Sequence, residues 1–279
     1  MVRAEELLEV PELRFVEPSF AELTDELYSS VLLDLEATDG RLLVDEHDDP
    51  IALALRDDDA WHVATFLYRT PSVLALERFE EVGGEIYQEP RETWARAVRR
   101  HFAERILHEV PAAINDLPPD RLEKANALVA DTWGERPGTR VIDACCGSGI
   151  GATVLRGLGM DPLSYDNDPA LLALGLQEGR LEPETVCCID GTVATEYCSP
   201  APLGLGLMMG QIYPWINEDL WHGLVDELLA LSHETLITVG TESEATLVAS
   251  WAIESGRGVE VVENDRDPVY DRWVCLVRR

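Results

Sequence analysis

Residues 141–153 read Val141-Ile142-Asp143-Ala144-Cys145-Cys146-Gly147-Ser148-Gly149-Ile150-Gly151-Ala152-Thr153. An apolar run ends on an acid, turns through glycines, and opens a helical pattern. Glycine in such a turn lets the backbone adopt positive φ and come close to a ligand. The helix that follows presents unpaired N–H groups at its start. No Lys-Ser/Thr pair follows Gly151, which excludes a Walker phosphate loop. Gly147, Gly149 and Ala152 fit the spacing G-x-G-x-x-A, so a dinucleotide-binding loop, and with it an NAD-binding oxidoreductase, is a competing reading.

The neighbouring acids separate the two readings. Asp143 precedes Gly147 at the strand end, where it would repel a pyrophosphate and attract the ammonium of an amino-acid-bearing cofactor. Asp166, in Ser164-Tyr165-Asp166-Asn167-Asp168-Pro169, ends the next strand about 20 residues on, where a carboxylate can accept both hydroxyls of a ribose. Asp168-Pro169 reads as a helix start, with Asp as N-cap and Pro at N1. Asp166 is therefore the expected ligand of the two. Asp190, in Cys188-Ile189-Asp190-Gly191, ends a third strand and is expected at the exocyclic amine of an adenine.

Outward from this loop, strands alternate with helices. Predicted strands are Arg140–Ala144, Leu163–Tyr165, Thr185–Ile189, Leu205–Met209 and Thr235–Val239, with helices at Gly149–Leu158, Pro169–Glu178, Asp219–Leu231 and Glu242–Glu254. Val259–Glu263 and Arg272–Val277 close the chain as an antiparallel edge hairpin. Such alternation argues for a parallel sheet covered on both faces. Upstream, helices at Glu92–Pro111 and Pro119–Trp133 form a connector. Before them, Ser19 caps a predicted helix through Phe20, Leu23, Leu27, Val31, Leu32 and Leu35, closed by Asp39-Gly40. Leu42–Val44 and Ile51–Leu55 make a hairpin about an Asp-Pro turn, and Trp61–Tyr68 adds a strand. The expected organisation is an α+β region at 1–90, a helical connector at 91–136 and an α/β domain at 137–279.

These residues resemble class I S-adenosylmethionine-dependent methyltransferases. VIDACCGSGIGA is similar to that family's first motif, SYDNDP to its acidic second motif and CIDGT to its third, and the resemblance runs from Arg140 to the C-terminus. It implies a Rossmann-like α/β fold with a seven-stranded sheet. It also implies S-adenosylmethionine as cofactor, held by Asp143, Cys145, Gly147, Gly149, Gly151, Asp166, Asn167, Asp190 and Gly191. Cys145 stands where the family has glycine, a departure shared by D-x-x-C-G-S-G variants that are frequent among enzymes methylating nucleic acid. After the fourth strand comes Gly210-Gln211-Ile212-Tyr213-Pro214-Trp215. The family's amino-group enzymes carry Asn/Asp-Pro-Pro-aromatic there. Only Pro214 and Trp215 match, and Ile212 takes the polar position. The implied catalytic set is Gln211, Tyr213, Pro214 and Trp215, with Gln211 orienting an amine or carbonyl and Trp215 stacking on a planar acceptor. The competing role for Tyr213 and Trp215 is to cap the sheet.

The chain has 279 residues, 53 acidic and 22 basic, for a net charge of -31, and Lys124 is its only lysine. Acid distributed as in 45–49 and 57–59 resembles the habit of halophilic archaea, whose molar internal salt shortens the Debye length to about 3 Å. With no apolar N-terminal run, a cytoplasmic, membrane-free protein is expected. The six cysteines lack CxxC spacing, so no metal site is expected. Arg96, Arg99 and Arg100 share a helix face and could meet the phosphates of RNA or DNA, against pairing with Glu92 and Glu104. The leading acceptor class is nucleic acid, RNA or DNA, with a small molecule or a protein as the alternative. A binding protein that kept the cofactor pocket and lost the chemistry is a further possibility.

Overall fold

A computed structural model describes residues 2–57, 60–115 and 117–279. Met1, and Asp58 and Asp59 of the acidic run, lie outside them. Two compact units divide the chain, Met1–Arg105 and Ile106–Arg279.

The first unit contains α1 (Ala4–Leu7), β1 (Leu13–Phe15), α2 (Tyr28–Val31), β2 (Asp39–Val44), β3 (Pro50–Arg56), β4 (Trp61–Thr65), α3 (Val73–Val82), β5 (Glu85–Gln88) and α4 (Arg91–Glu109) as far as Arg105. Its sheet runs β1-β4-β3-β2-β5. The predicted hairpin is present, with Leu42 opposite Leu53 in the antiparallel β2–β3 pair. Leu42, Leu53, Leu55 and Ala64 pack with Phe79 of α3 in one core. Trp94 of α4 is buried, stacks near Phe15 and donates its indole N–H to Thr65 Oγ1 at 2.9 Å.

The helix predicted from Ser19 to Leu35 is instead broken into Phe20–Glu22, α2 and Leu32–Asp34. Asp25 accepts the Leu27 N–H at 2.9 Å, a local turn that competes with helix, and Leu27 is 75% exposed rather than core-facing. Ser19 makes no cap bond; its hydroxyl donates to Glu22. Asp39-Gly40 begins β2, where any Cβ on Gly40 would lie 2.6 Å from the Phe79 ring.

The second unit contains α5 (Arg121–Trp133), β6 (Arg140–Ala144), α6 (Ile150–Gly157), β7 (Asp161–Asp166), α7 (Pro169–Gln177), β8 (Val186–Cys188), β9 (Ala201–Gly206), α8 (Glu218–Leu231), β10 (Ser232–Val239), α9 (Glu242–Glu254), β11 (Gly258–Glu263) and β12 (Trp273–Arg278). Its seven strands are ordered β11-β12-β10-β9-β6-β7-β8. β12 runs antiparallel to β10 and β11, while the pairs from β10 to β8 are parallel. This is the Rossmann-like α/β architecture expected from the sequence. Val141, Leu155, Leu203, Leu205 and Leu236 share its core with Trp133 of α5.

Strand order reverses at β6, which lies between β7 and β9. In open α/β sheets the crevice beyond such a switch point is where ligands bind. The glycine loop leaves β6 on one side of it, and the segment 207–217 leaves β9 on the other. β9 ends at Gly206, earlier than the predicted Met209. The Thr238 hydroxyl takes the Met208 N–H at 2.7 Å and its carbonyl the Met209 N–H at 2.8 Å, pulling the chain out of the strand.

Candidate functional site

Beneath the glycine loop lies Asp143, buried at the end of β6. Ser164 Oγ donates to its Oδ2 at 2.9 Å. Burial drives the carboxyl up to about 7, and Asp166 adds to the rise, against the bonds from Ser164 and the Ala152 N–H. α6 crosses so closely that a Cβ on Gly151 would sit 2.2 Å from Asp143 Oδ1. Gly151 is thus a packing requirement of the buried acid. Gly149 has φ 85, and a side chain there would strike Leu181. Gly147 has φ 52 and open space around it, so its requirement is conformational.

Cys145 also adopts φ 50, a left-handed conformation without glycine's freedom. Its thiol is pushed up to about 12 by burial and by Asp166, Asp143 and Asp190. It stays protonated and is no nucleophile. Cys198, a loop thiol further along the chain, is buried.

Asp166 ends β7 and is tied to the loop. Its Oδ2 accepts the Gly147 N–H at 2.8 Å and its Oδ1 the Asp168 N–H at 2.9 Å. Burial raises its pKa against these two bonds. An ionised carboxylate has about four acceptor positions, so capacity remains for a diol. Asp168 caps α7 through Ala170 and Leu171, the structural role anticipated for it. Asn167 is exposed beside it. Asp190, after β8, spends Oδ1 on the Thr192 N–H and hydroxyl at 2.9 and 2.8 Å, leaving its second oxygen for a ligand. Gly191 is buried because a Cβ there would meet Leu224 at 2.6 Å and Tyr165 at 3.1 Å. Asp143, Asp166 and Asp190 thus follow one another along the carboxyl ends of the adjacent strands β6, β7 and β8.

Across the switch point, the segment after β9 borders a cleft of about 490 Å³ lined by Met208, Gln211, Tyr213, Glu244, Val269 and Tyr270, among others. Gln211 and Tyr213 belong to it; Pro214 and Trp215 are not among the residues lining it. Trp215 has φ 69 and is 98% exposed, so it does not cap the sheet. Ile212, at the position of the family's polar residue, is buried.

Sequence reasoning missed Glu244. Thr241 and Glu244 form a capping box at the start of α9. The T-x-x-E spacing signals that box, but not its further reach. Glu244 Oε1 accepts the Ile212 N–H at 2.8 Å, while Oε2 takes the Thr241 N–H and hydroxyl at 2.9 and 2.8 Å. The opposite wall, Val269–Tyr270, is fixed from below. Arg121 pairs with Asp267 and, bidentately, with Asp271, and its guanidinium lies 5.2 Å from the Tyr270 ring centroid. Thr238, which holds Met208, donates its hydroxyl to Asp271 at 2.5 Å. All four of these polar residues are buried.

Of the two readings of Arg96, Arg99 and Arg100, the structure contains the pairing with Glu92 and Glu104. Arg99 is buried and pairs with Glu92 at 2.6 Å, Arg96 pairs with the same Glu92 oxygen at 3.3 Å, and Arg100 pairs with Glu104 at 3.4 Å. The Coulomb attraction of each is spent locally. Asp45, Glu46 and His47 gather ligand atoms within 4.8 Å, but Asp45 Oδ1 is taken by the His47 and Asp49 N–H groups of its own turn. Among the described residues no helix is long and apolar enough to cross a membrane.

No protein-family model matches the chain, and no curated protein matches it. Solved structures similar to part of it include a magnesium protoporphyrin IX methyltransferase from Synechocystis PCC 6803 with bound SAM. That structure is 15% identical, covers 66% of this chain and 97% of its own, and has a TM-score of 0.46. A precorrin-6y C5,15-methyltransferase from Geobacter metallireducens is 11% identical over 61% of this chain and 93% of its own, with a TM-score of 0.42. A ribosomal protein L11 methylase from Lactobacillus delbrueckii subsp. bulgaricus is 15% identical over 56% and 77%, with a TM-score of 0.42.

Proposed function

We propose that this chain binds S-adenosylmethionine over the Asp143–Gly151 loop and transfers its methyl group to an acceptor in the cleft after β9. The observation that carries the reading is the hydrogen bond from Gly147 of the glycine loop to Asp166 of the adjacent strand, above the buried Asp143. That arrangement presents a carboxylate to a ribose diol and sets the acids Asp143 and Asp166 where a pyrophosphate would be repelled. Asp190 is suited to the adenine amine by its free oxygen. When bound, the cofactor supplies a methyl group on a sulfonium that is already a good leaving group. The chain's own task is then to hold acceptor and donor in line. Gln211 and Tyr213 line the acceptor side, and the walls tied through Glu244 and Arg121 fix its width.

Nucleic acid is the second acceptor reading. Trp215, an aromatic side chain wholly in solvent two positions after the cleft-lining Tyr213, favours it as a stacking platform for a base. The acidic surface we read as adapted to molar salt inside a cell.

Calorimetric titration of S-adenosylmethionine, S-adenosylhomocysteine and NAD in molar KCl tests the cofactor, with Asp166→Ala run beside the wild type. Micromolar binding of the first two, lost in the variant, is the expected result. Binding of NAD alone, or of none by a folded sample, overturns the reading.

A further inference from the structure

We propose that the cleft after β9 binds a small aromatic amine, recognised through its ammonium or amino group by the carboxylate of Glu244. The inference rests on reading this cleft as the acceptor side and adds the chemical class it takes.

Glu244 lines the cleft yet is only 6% exposed, and among the described residues it has no ion-pair partner. Its three donors are neutral: the Ile212 N–H, the Thr241 N–H and the Thr241 hydroxyl. The N-terminus of α9 contributes roughly half a positive charge, which leaves part of the carboxylate's charge uncompensated. Buried charges are ordinarily paired, so this one points to a cation or strong donor arriving from the cleft. Oε1 has a single donor, and a carboxylate oxygen accepts about two.

The rest of the lining agrees. Among the described residues no lysine, arginine or histidine lines the cleft. The Arg121 guanidinium beside the Tyr270 ring is committed to Asp267 and Asp271. A phosphate or carboxylate would find no cationic partner there. Met208, Val269 and the rings of Tyr213 and Tyr270 give an apolar seat for a ring, and Tyr213 is more than half exposed to receive it. The geometry also accounts for Ile212. The segment lacks the polar side chain used by amino-group enzymes at that position, but the Ile212 N–H holds a carboxylate from α9 beside it.

The test uses the whole chain in molar KCl, where attraction by the acidic surface is screened. Binding of 2-phenylethylamine and of 3-phenylpropionate is measured by calorimetry for wild type, Glu244→Gln and Glu242→Gln. Wild type is expected to prefer the amine by at least about tenfold, the size of one charge-assisted hydrogen bond. Glu244→Gln, which still offers an acceptor to the Ile212 N–H, should lose that preference. Glu242→Gln, an exposed neighbour in the same helical turn, should keep it. Equal binding of the two probes, or a preference that survives in Glu244→Gln, overturns the proposal. Should Glu244→Gln not fold, amide shifts of Ile212 and Thr241 in the wild type decide: movement with the amine supports the site, and their constancy overturns it. An oligoribonucleotide that displaces the amine at equal affinity also overturns it. Amine binding without S-adenosylhomocysteine binding would count against the methyltransferase reading and leave the amine site standing.

Discussion

Replacing Asp143 by Asn should make the ligand-free protein more stable at about pH 8. The folded-state pKa is raised to about 7 from an ordinary 3.8. The native state therefore holds a proton that the unfolded chain has already released. Stability from this group is present at low pH and is lost as pH rises through that interval. At its end the burial of the charge costs on the order of 4 kcal/mol. An amide avoids this cost and can keep the local bonds. Its oxygen accepts from the Ala152 N–H, and its nitrogen donates to Ser164 Oγ after the hydroxyl turns. The value of about 7 already contains the bonds from Ser164 and Ala152, so the expected net gain is about 4 kcal/mol at pH 8 and vanishes towards pH 4. Urea unfolding of both proteins at several pH values in molar KCl measures it, since other groups cancel in the difference. A variant less stable than wild type at pH 8, or a difference independent of pH, would refute the reasoning. S-adenosylhomocysteine binding should weaken in the same variant, because the acid destabilises the empty pocket in favour of a cationic occupant.

Cys145→Gly relieves a left-handed non-glycine residue and should raise stability by about 1 kcal/mol, read as a higher urea midpoint with unchanged slope. Gly151→Ala forces a methyl group against Asp143; a loss of about 1–3 kcal/mol is expected from such overpacking, with weaker cofactor binding measured by calorimetry. Arg121→Ala strands Asp267 and Asp271 in the interior and should cost about 3–5 kcal/mol. In that variant, hydrogen exchange of the Met208 amide should quicken, since its acceptor Thr238 loses a fixed partner.

The features legible in the sequence are those whose physical cause is local. A turn needing positive φ demands glycine on the spot, which is why residues 143–151 could be placed. Asp168-Pro169 announces a helix start, and Thr241…Glu244 a cap. Strand and helix periods carried the seven-stranded sheet and its antiparallel last strand. What stayed hidden depends on residues distant along the chain. Glu244 meets Ile212 across 32 positions and Arg121 meets Asp271 across 150, and no spacing rule announces either. The segment from Ser19 to Leu35 misled for a different reason. Its apolar residues recur at helical intervals, yet Asp25 offers the backbone a turn, and Leu27 and Val31 face solvent. The pairing of the α4 arginines was legible as one of two readings, because Glu92 and Glu104 lie within helical reach, but the sequence did not reveal that Glu92 engages two of them.

The isolation of Trp215 makes the protein its own optical gauge. Of seven tryptophans, Trp61, Trp94, Trp133 and Trp251 are buried, Trp221 and Trp273 are half-buried, and Trp215 alone stands in solvent. A neutral quencher such as acrylamide should therefore extinguish the red edge of the emission and spare the rest. A ligand that settles on Trp215 should shift that red edge towards the blue and shield it from the quencher. A library of candidate acceptors can then be screened by eye of the fluorimeter, with Trp215→Phe as the dark control.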